Sequence, residues 1–266
     1  MTHRIWFSAV LALALAVTLG FLVLPVAAIF FSTGPTQLLS SLSDPSTTDA
    51  LRLSLQTSLT AIAIIVLVGT PAAYLLATRS FKGRSAVVTL IELPLVLPPA
   101  VAGIGLLAAL GPNGILGGAV NDAHVQLVLQ TTGVVVALTF VAAPFFLRQA
   151  QSAFATVDRT WLEASRTLGA NEAQTFLRVA IPAAKPGLLA GLALAWARAL
   201  GEFGATLMFA GSFRGITQTA PLAIYERFPT DFPGALTLSV VLVMISAALL
   251  LSVKLLSGST ALGASR

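Results

Sequence analysis

Several stretches of this chain are apolar over about 20 residues, the length a helix needs to cross the hydrocarbon core of a bilayer. They are residues 6–31, 54–77, 87–110, 131–147, 187–210 and 236–256. The fourth is the shortest and needs flanking residues to span. Lipid offers no partner to a free backbone N–H or C=O, so these runs are read as helices and not as strands. The pattern predicts an all-α membrane protein with six transmembrane helices. The first run follows a short basic start, His3 and Arg4, as a signal peptide would. It exceeds the roughly 7–15-residue apolar core of such a segment and shows no convincing small-residue cleavage site, so it reads as an uncleaved helix.

Composition agrees. Of 266 residues, 56% are hydrophobic and 9% charged, against roughly 25% charged in soluble domains. The mean hydropathy is +0.92. So few charges cannot cover a soluble surface. Cysteine is absent, which excludes disulfides, thiolate metal sites and a cysteine nucleophile. The two histidines, His3 and His124, lie far apart and speak against a histidine metal cluster. A net charge of +5 suits nucleic-acid binding only if the basic residues share a polar face.

Sorted by loop, they do not. One set of loops holds Arg4, Arg79, Lys82, Arg84, Arg148, Arg159, Arg166, Arg178, Lys185, Lys254 and Arg266, while the opposite set holds only Arg52, Arg214 and Arg227. Positive residues favour the inside, so both termini are assigned to the cytoplasm. The basic excess then records topology, and no nucleic-acid partner is expected. The outer loops carry Asp44, Asp49, Asp122, Glu226 and Asp231 and are net acidic, a poor surface for concentrating an anion. The chain divides into a first helix with its external loop (1–52), five further helices (53–257) and a short polar tail (258–266).

The segment 148–186 is too long for a turn and is expected to be structured. Asp158 is placed to cap a helix over 159–168 that Gly169 ends in the left-handed C′ position. Asn171 is placed to cap a second helix, with Gln174 completing a capping box. That helix is expected to end before Pro182. Leu162, Leu168, Phe176 and Leu177 give the pair an apolar side to bury. An amphipathic hairpin on the membrane and a docking element for a cytoplasmic partner both fit.

The string Glu163-Ala164-Ser165, three residues, Gly169, nine residues, Val179-Ala180-Ile181-Pro182 resembles the EAA loop of ABC importer permeases. It departs from that pattern mildly, at Ser165, Val179 and Ile181. The resemblance implies a type I ABC importer transmembrane fold working as a homodimer. It also implies two cytoplasmic ATPase subunits, which hold the ATP and magnesium, and docking of Glu163, Ala164, Ser165, Gly169 and Pro182 with their neighbours on those subunits. The chain has no Gly-x-x-x-x-Gly-Lys-[Ser/Thr] phosphate loop, so it is not expected to be an enzyme or to hold a cofactor itself.

In the fifth run Gly187, Gly191, Ala195 and Ala199 recur every four residues, as do Ala193, Ala197, Gly201 and Ala205. Such small-residue ridges predict a helix inside the bundle or at a dimer seam. Arg198 and Glu202 stand four apart on one face. Charges at this depth are costly unless paired or wet. Two readings stay open: an ion pair that locks the helix, and a pathway role in which Arg198 meets an oxyanion. In the third run Pro94, Pro98 and Pro99 remove backbone donors and disturb the helix, which is tolerated where backbone lines a cavity or lies in protein. Glu92 precedes them, either solvated near the interface or part of a gate; Glu92, Pro94, Pro98 and Pro99 are the candidate gate or hinge. Residues 221–228 are expected to form a short outer helix with proline in its first turn.

The stretch ARALGEFGATLMFAG from Ala197 to Gly211 is similar to the matching segment of molybdate ABC permeases, and sulfate permeases carry a related Arg-Ala-x-Gly-Glu-Tyr-Gly. Phe203 and the following Ala205-Thr206-Leu207-Met208-Phe209 favour molybdate, while Pro112-Asn113-Gly114 leans toward sulfate. The similarity runs from about Leu53 through nearly the whole chain. It implies a cell inner-membrane permease for molybdate, with tungstate accepted, fed by an extracytoplasmic oxyanion-binding protein. A sulfate or thiosulfate permease is the alternative. An ion-coupled secondary transporter using Arg198 and Glu202 as a proton relay would differ in needing no ATPase.

Overall fold

The computed structural model describes residues 2–263, without side-chain placement at 2–5, 35, 39, 254 and 256–263. Arg266 and the last residues of the expected tail lie outside them. The described chain is helical throughout: α1 (Thr2–Phe31), α2 (Pro35–Leu42), α3 (Pro45–Thr78), α4 (Arg84–Val96), α5 (Pro99–Leu110), α6 (Gly117–Asp122), α7 (Thr131–Ala155), α8 (Arg159–Thr167), α9 (Glu172–Thr175), a π-helical turn (Phe176–Ala180), α10 (Ile181–Leu200), α11 (Gly204–Ala210), α12 (Ala220–Arg227) and α13 (Phe232–Gly263). Among the described residues, five helical spans are long and apolar enough to cross a membrane, and the pair α4–α5, bent by 118°, makes a sixth if it is taken as one span.

Helices α3, α7 and α10 form the centre of the bundle. Ala61, Ile65, Val134, Leu138, Phe146 and Ala195 meet there. The small residues of α10 let it approach closely: a Cβ on Gly187 would stand 2.4 Å from the Cβ of Ala153. This is the ridge expected from the four-residue repeat, and it faces inward, since Ala195 and Ala199 are buried. Helix α1 instead stands at the periphery, its hydrophobic stretch unburied within the chain. A helix apolar all round that touches the rest of its chain mainly at α13 suits lipid contact.

Several elements differ from expectation. Helix α3 begins at Pro45, well before residue 54, because Asp44 accepts the Ser46 N–H at 3.1 Å as its cap and Pro45 needs no helical donor. Helix α7 extends to Ala155, which gives the short fourth run its missing length. The second helix of the hairpin does not end before Pro182. It widens into the π turn, where the Ile181 N–H reaches Phe176 O, and continues directly as α10. A wider turn relieves the crowding of a proline ring against the preceding turn. The fifth span stops at Leu200 instead of 210; α11 starts anew after residues 201–203. Helix α13 continues to Gly263, through part of the expected tail.

Candidate functional site

Two features of the fold bring the sequence's unusual residues together: the α8–α9 hairpin and the junction of two broken spans.

The hairpin is built by local capping. Asp158 accepts the Thr160 N–H at 2.9 Å, and hydrogen bonds from that N–H and from the Thr160 hydroxyl hold its carboxyl below the usual carboxylate range. Gly169 takes φ +87°, with the Gly169 N–H on Arg166 O and the Ala170 N–H on Ser165 O, the paired bonds of a Schellman ending. Asn171 and Gln174 then exchange hydrogen bonds in both directions as a capping box, at 2.8 and 3.0 Å. All the caps expected from the sequence are in place.

Leu162 and Phe176 turn inward against the core, but Leu168 is 88% exposed and Leu177 60% exposed, contrary to expectation. Glu163, Ala164 and Trp161 are exposed as well. The hairpin therefore turns apolar side chains and charges of both signs, Arg159, Glu163 and Arg166, away from the bundle. Arg79 pairs with Glu172 at 2.5 Å, tying the end of α3 to the start of α9. Between α8, Tyr74 and Phe154 lies a cavity of about 280 Å³ that Glu163, Arg159 and Arg166 help to line. Glu163, Ala164, Ser165 and Gly169 thus belong to one hairpin, whereas Pro182 sits apart at the root of α10.

The second feature lies where α4–α5 and α10–α11 are interrupted. Leu97 and Pro98 separate α4 from α5, and Pro99 opens α5. Gly204 opens α11 beside Pro99: a Cβ there would lie 2.8 Å from the Pro99 Cβ. A Cβ on Gly103 would lie 2.7 Å from Ala205 O and from the Met208 Cβ. These contacts set α5 and α11 side by side and parallel, with both breaks at one level. Pro98, Pro99 and Gly201 are exposed there, so the junction opens on a free face of the chain.

Arg198 and Glu202 flank this junction. Arg198 Nη2 stands 2.6 Å from Glu202 Oε2, the spacing of an ion pair. Glu202 Oε1 also accepts the Ala205 N–H at 2.7 Å, which anchors the first turn of α11. Glu92 lies elsewhere, with Oε1 3.5 Å from Nε of Arg148 on α7, both side chains partly exposed. Pro94 stays inside α4. Of the four candidate hinge residues, Pro98 and Pro99 are at the break and Glu92 and Pro94 lie on the helix before it.

Sequence reasoning missed a polar cluster at the end opposite the hairpin. Arg227 of α12 pairs with Asp44 at 2.5 Å and donates to Thr47 at 3.0 Å and to Ser46. Asp44 falls to a pKa of about 2, first through the Ser46 hydroxyl, with the Ser46 N–H and the Arg227 guanidinium adding to it against a burial cost. The signal was present as Asp44-Pro45-Ser46, a cap followed by an N1 proline. The short helix expected at 221–228 is observed as α12, with Pro221 in its first turn.

Residues 66–260 match the family described as binding-protein-dependent transport system inner membrane component. The molybdenum transport system permease protein ModB of Mycobacterium tuberculosis is 39% identical over 233 residues, 88% of this chain and 88% of that protein. The sulfate transport system permease protein CysW of Synechococcus elongatus is 36% identical over 198 residues, 74% of this chain and 69% of that protein. A chain of the bacterial alginate ABC transporter, solved with an alginate pentasaccharide-bound periplasmic protein, shares the fold with a TM-score of 0.78 at 15% identity, covering 96% of this chain and 95% of that one. A multi-pass helical bundle with an exposed, capped hairpin and two interrupted spans, matched over most of its length, belongs to the binding-protein-dependent transport system inner membrane component family, the permease subunits of ABC importers.

Proposed function

We propose that this chain is the membrane-spanning subunit of an ATP-driven importer that carries molybdate, with tungstate accepted, into the cytoplasm. The observation that carries the reading is the hairpin: exposed at Glu163, Ala164 and Leu168, braced by caps at both ends, and continuous through the π turn with the helix that carries Arg198 in its last turn. The ModB relative supports molybdate, and the CysW relative matches less of the chain at lower identity. The loop charges favour the hairpin and both termini on the cytoplasmic side.

Two copies would enclose the pathway between them, with the junction faces turned inward. An ATPase subunit would dock on each hairpin and hydrolyse ATP with its own magnesium. A binding protein would deliver the oxyanion to the net-acidic outer face, which could not capture it unaided. Closure of the ATPases would shift the hairpins and α10, and Pro98 and Pro99 would absorb the movement at the break in the third span. The test is uptake of labelled molybdate by the complex reconstituted with its ATPase and binding protein. ATP-dependent uptake suppressed by excess tungstate but not by sulfate is expected. Suppression by sulfate alone would favour the sulfate reading, and uptake driven by a proton gradient without the ATPase would refute an ABC importer.

A further inference from the structure

Arg198 and Glu202 are unequal partners. Glu202 is 1% exposed and its Oε1 is fixed by the Ala205 N–H at 2.7 Å. Arg198 is 26% exposed, and its contact with Oε2, though 2.6 Å, lacks the alignment of a hydrogen bond, so that Oε2 has no hydrogen-bond donor among the described residues. A guanidinium carries five N–H donors in a planar fork. Here it is held by charge, at membrane depth, beside a junction that opens on a free face at Pro98, Pro99 and Gly201. A pair meant only to lock the helix would be expected to use the fork for well-formed hydrogen bonds, because unspent polar groups at this depth are costly.

Resting on the reading of the chain as an oxyanion permease, we propose that Arg198 is an exchangeable binding residue, paired with Glu202 when the junction is empty and turned to the oxyanion as it passes. The carboxylate does not need Arg198 to stay in place, since Ala205 holds it. The guanidinium fork matches two oxygens of a tetrahedral dianion. Glu202 competes for the same cation and repels the dianion, so the hold is brief. Transport requires this balance: binding strong enough to admit the ion and weak enough to release it.

The deciding experiment uses the full complex in proteoliposomes, with molybdate uptake and ATPase activity measured together. The double variant R198Q/E202Q removes both charges and with them any need for a lock. Exchange predicts that it assembles and hydrolyses ATP as the unaltered complex does, while uptake falls at least about tenfold, as expected for loss of a charged hydrogen-bonding partner. Uptake within about twofold of the unaltered complex would overturn the proposal. Should the double variant not assemble, R198K keeps the charge and loses the fork. Reduced uptake with unchanged ATPase then supports exchange, and unchanged uptake refutes it. A second measurement reads molybdate retained by the solubilised permease–ATPase complex without binding protein. E202Q should raise retention and R198Q abolish it; equal retention in both overturns the idea. If the unaltered complex carries sulfate in place of molybdate, the molybdate reading fails, and the same variants read with sulfate decide the role of Arg198 separately.

Discussion

The Thr175 hydroxyl donates to Ser165 Oγ at 2.8 Å across the hairpin, joining α8 to α9 at the third position of the Glu-Ala-Ser string. The direction follows because the single Ser165 proton already goes to Leu162 O at 3.0 Å. Thr175 is fully buried. The departure from alanine at Ser165 is therefore a cross-brace. Replacing Ser165 with alanine should strand a buried hydroxyl and destabilise the hairpin by about 1–3 kcal/mol. Adding Thr175→Val should recover most of that, since removing both partners is close to neutral. Thermal unfolding of the purified chain with protease protection of the hairpin would measure it; equal stability of Ser165→Ala and the unaltered chain would refute the brace.

Gly169 tests the turn alone. A Cβ there meets nothing within 4 Å, so Gly169→Ala is penalised only by φ +87°, a cost of about 1–2 kcal/mol. The prediction is intact membrane insertion with ATP hydrolysis poorly converted into uptake, read as molybdate carried per ATP. A normal ratio would separate the turn from coupling.

At the junction, Gly204→Ala should do harm by volume. Its Cβ would press the Pro99 Cβ at 2.8 Å, and overpacking of this kind costs about 1–3 kcal/mol. Uptake should drop and the melting temperature with it. Gly105→Ala on the facing helix α5, where a Cβ meets nothing within 4 Å, serves as the control and should leave both unchanged.

Acid should loosen the Asp44–Arg227 cluster. With a folded pKa of about 2, below the roughly 3.9 of an unperturbed aspartate, the carboxylate stabilises the fold above pH 4. That contribution is lost as pH falls toward 2. Melting temperatures taken between pH 5 and 2 should decline, and Asp44→Asn should flatten that limb while lowering stability at neutral pH. An unchanged acid limb in Asp44→Asn would exclude this carboxylate as its source.

What the sequence made legible was local or periodic. Asp158, Gly169, Asn171 and Gln174 form caps whose partners lie within a few residues, and the small residues of α10 repeat with the helix. The break after Leu200 was hidden because hydropathy continues unbroken through 201–210. Its signs were the two glycines around Glu202, and its cause is a carboxylate that takes a backbone N–H. The passage through Pro182 was missed because a π turn leaves no mark in the spacing of apolar residues. Leu168 and Leu177 were expected to be buried because apolarity does not say whether a side chain meets its own fold, lipid or another subunit.

The run from Glu172 to Leu200 spans 29 residues, about 40 Å at 1.5 Å per residue. It begins just after the turn that Gly169 makes and carries Arg198 in its last turn, with no loop between. A push at one end arrives at the other without slack. The π turn and Pro186, which removes a backbone donor inside α10, are then the places where this strut can bend, and their stiffness would set how much of a movement at the hairpin reaches the guanidinium.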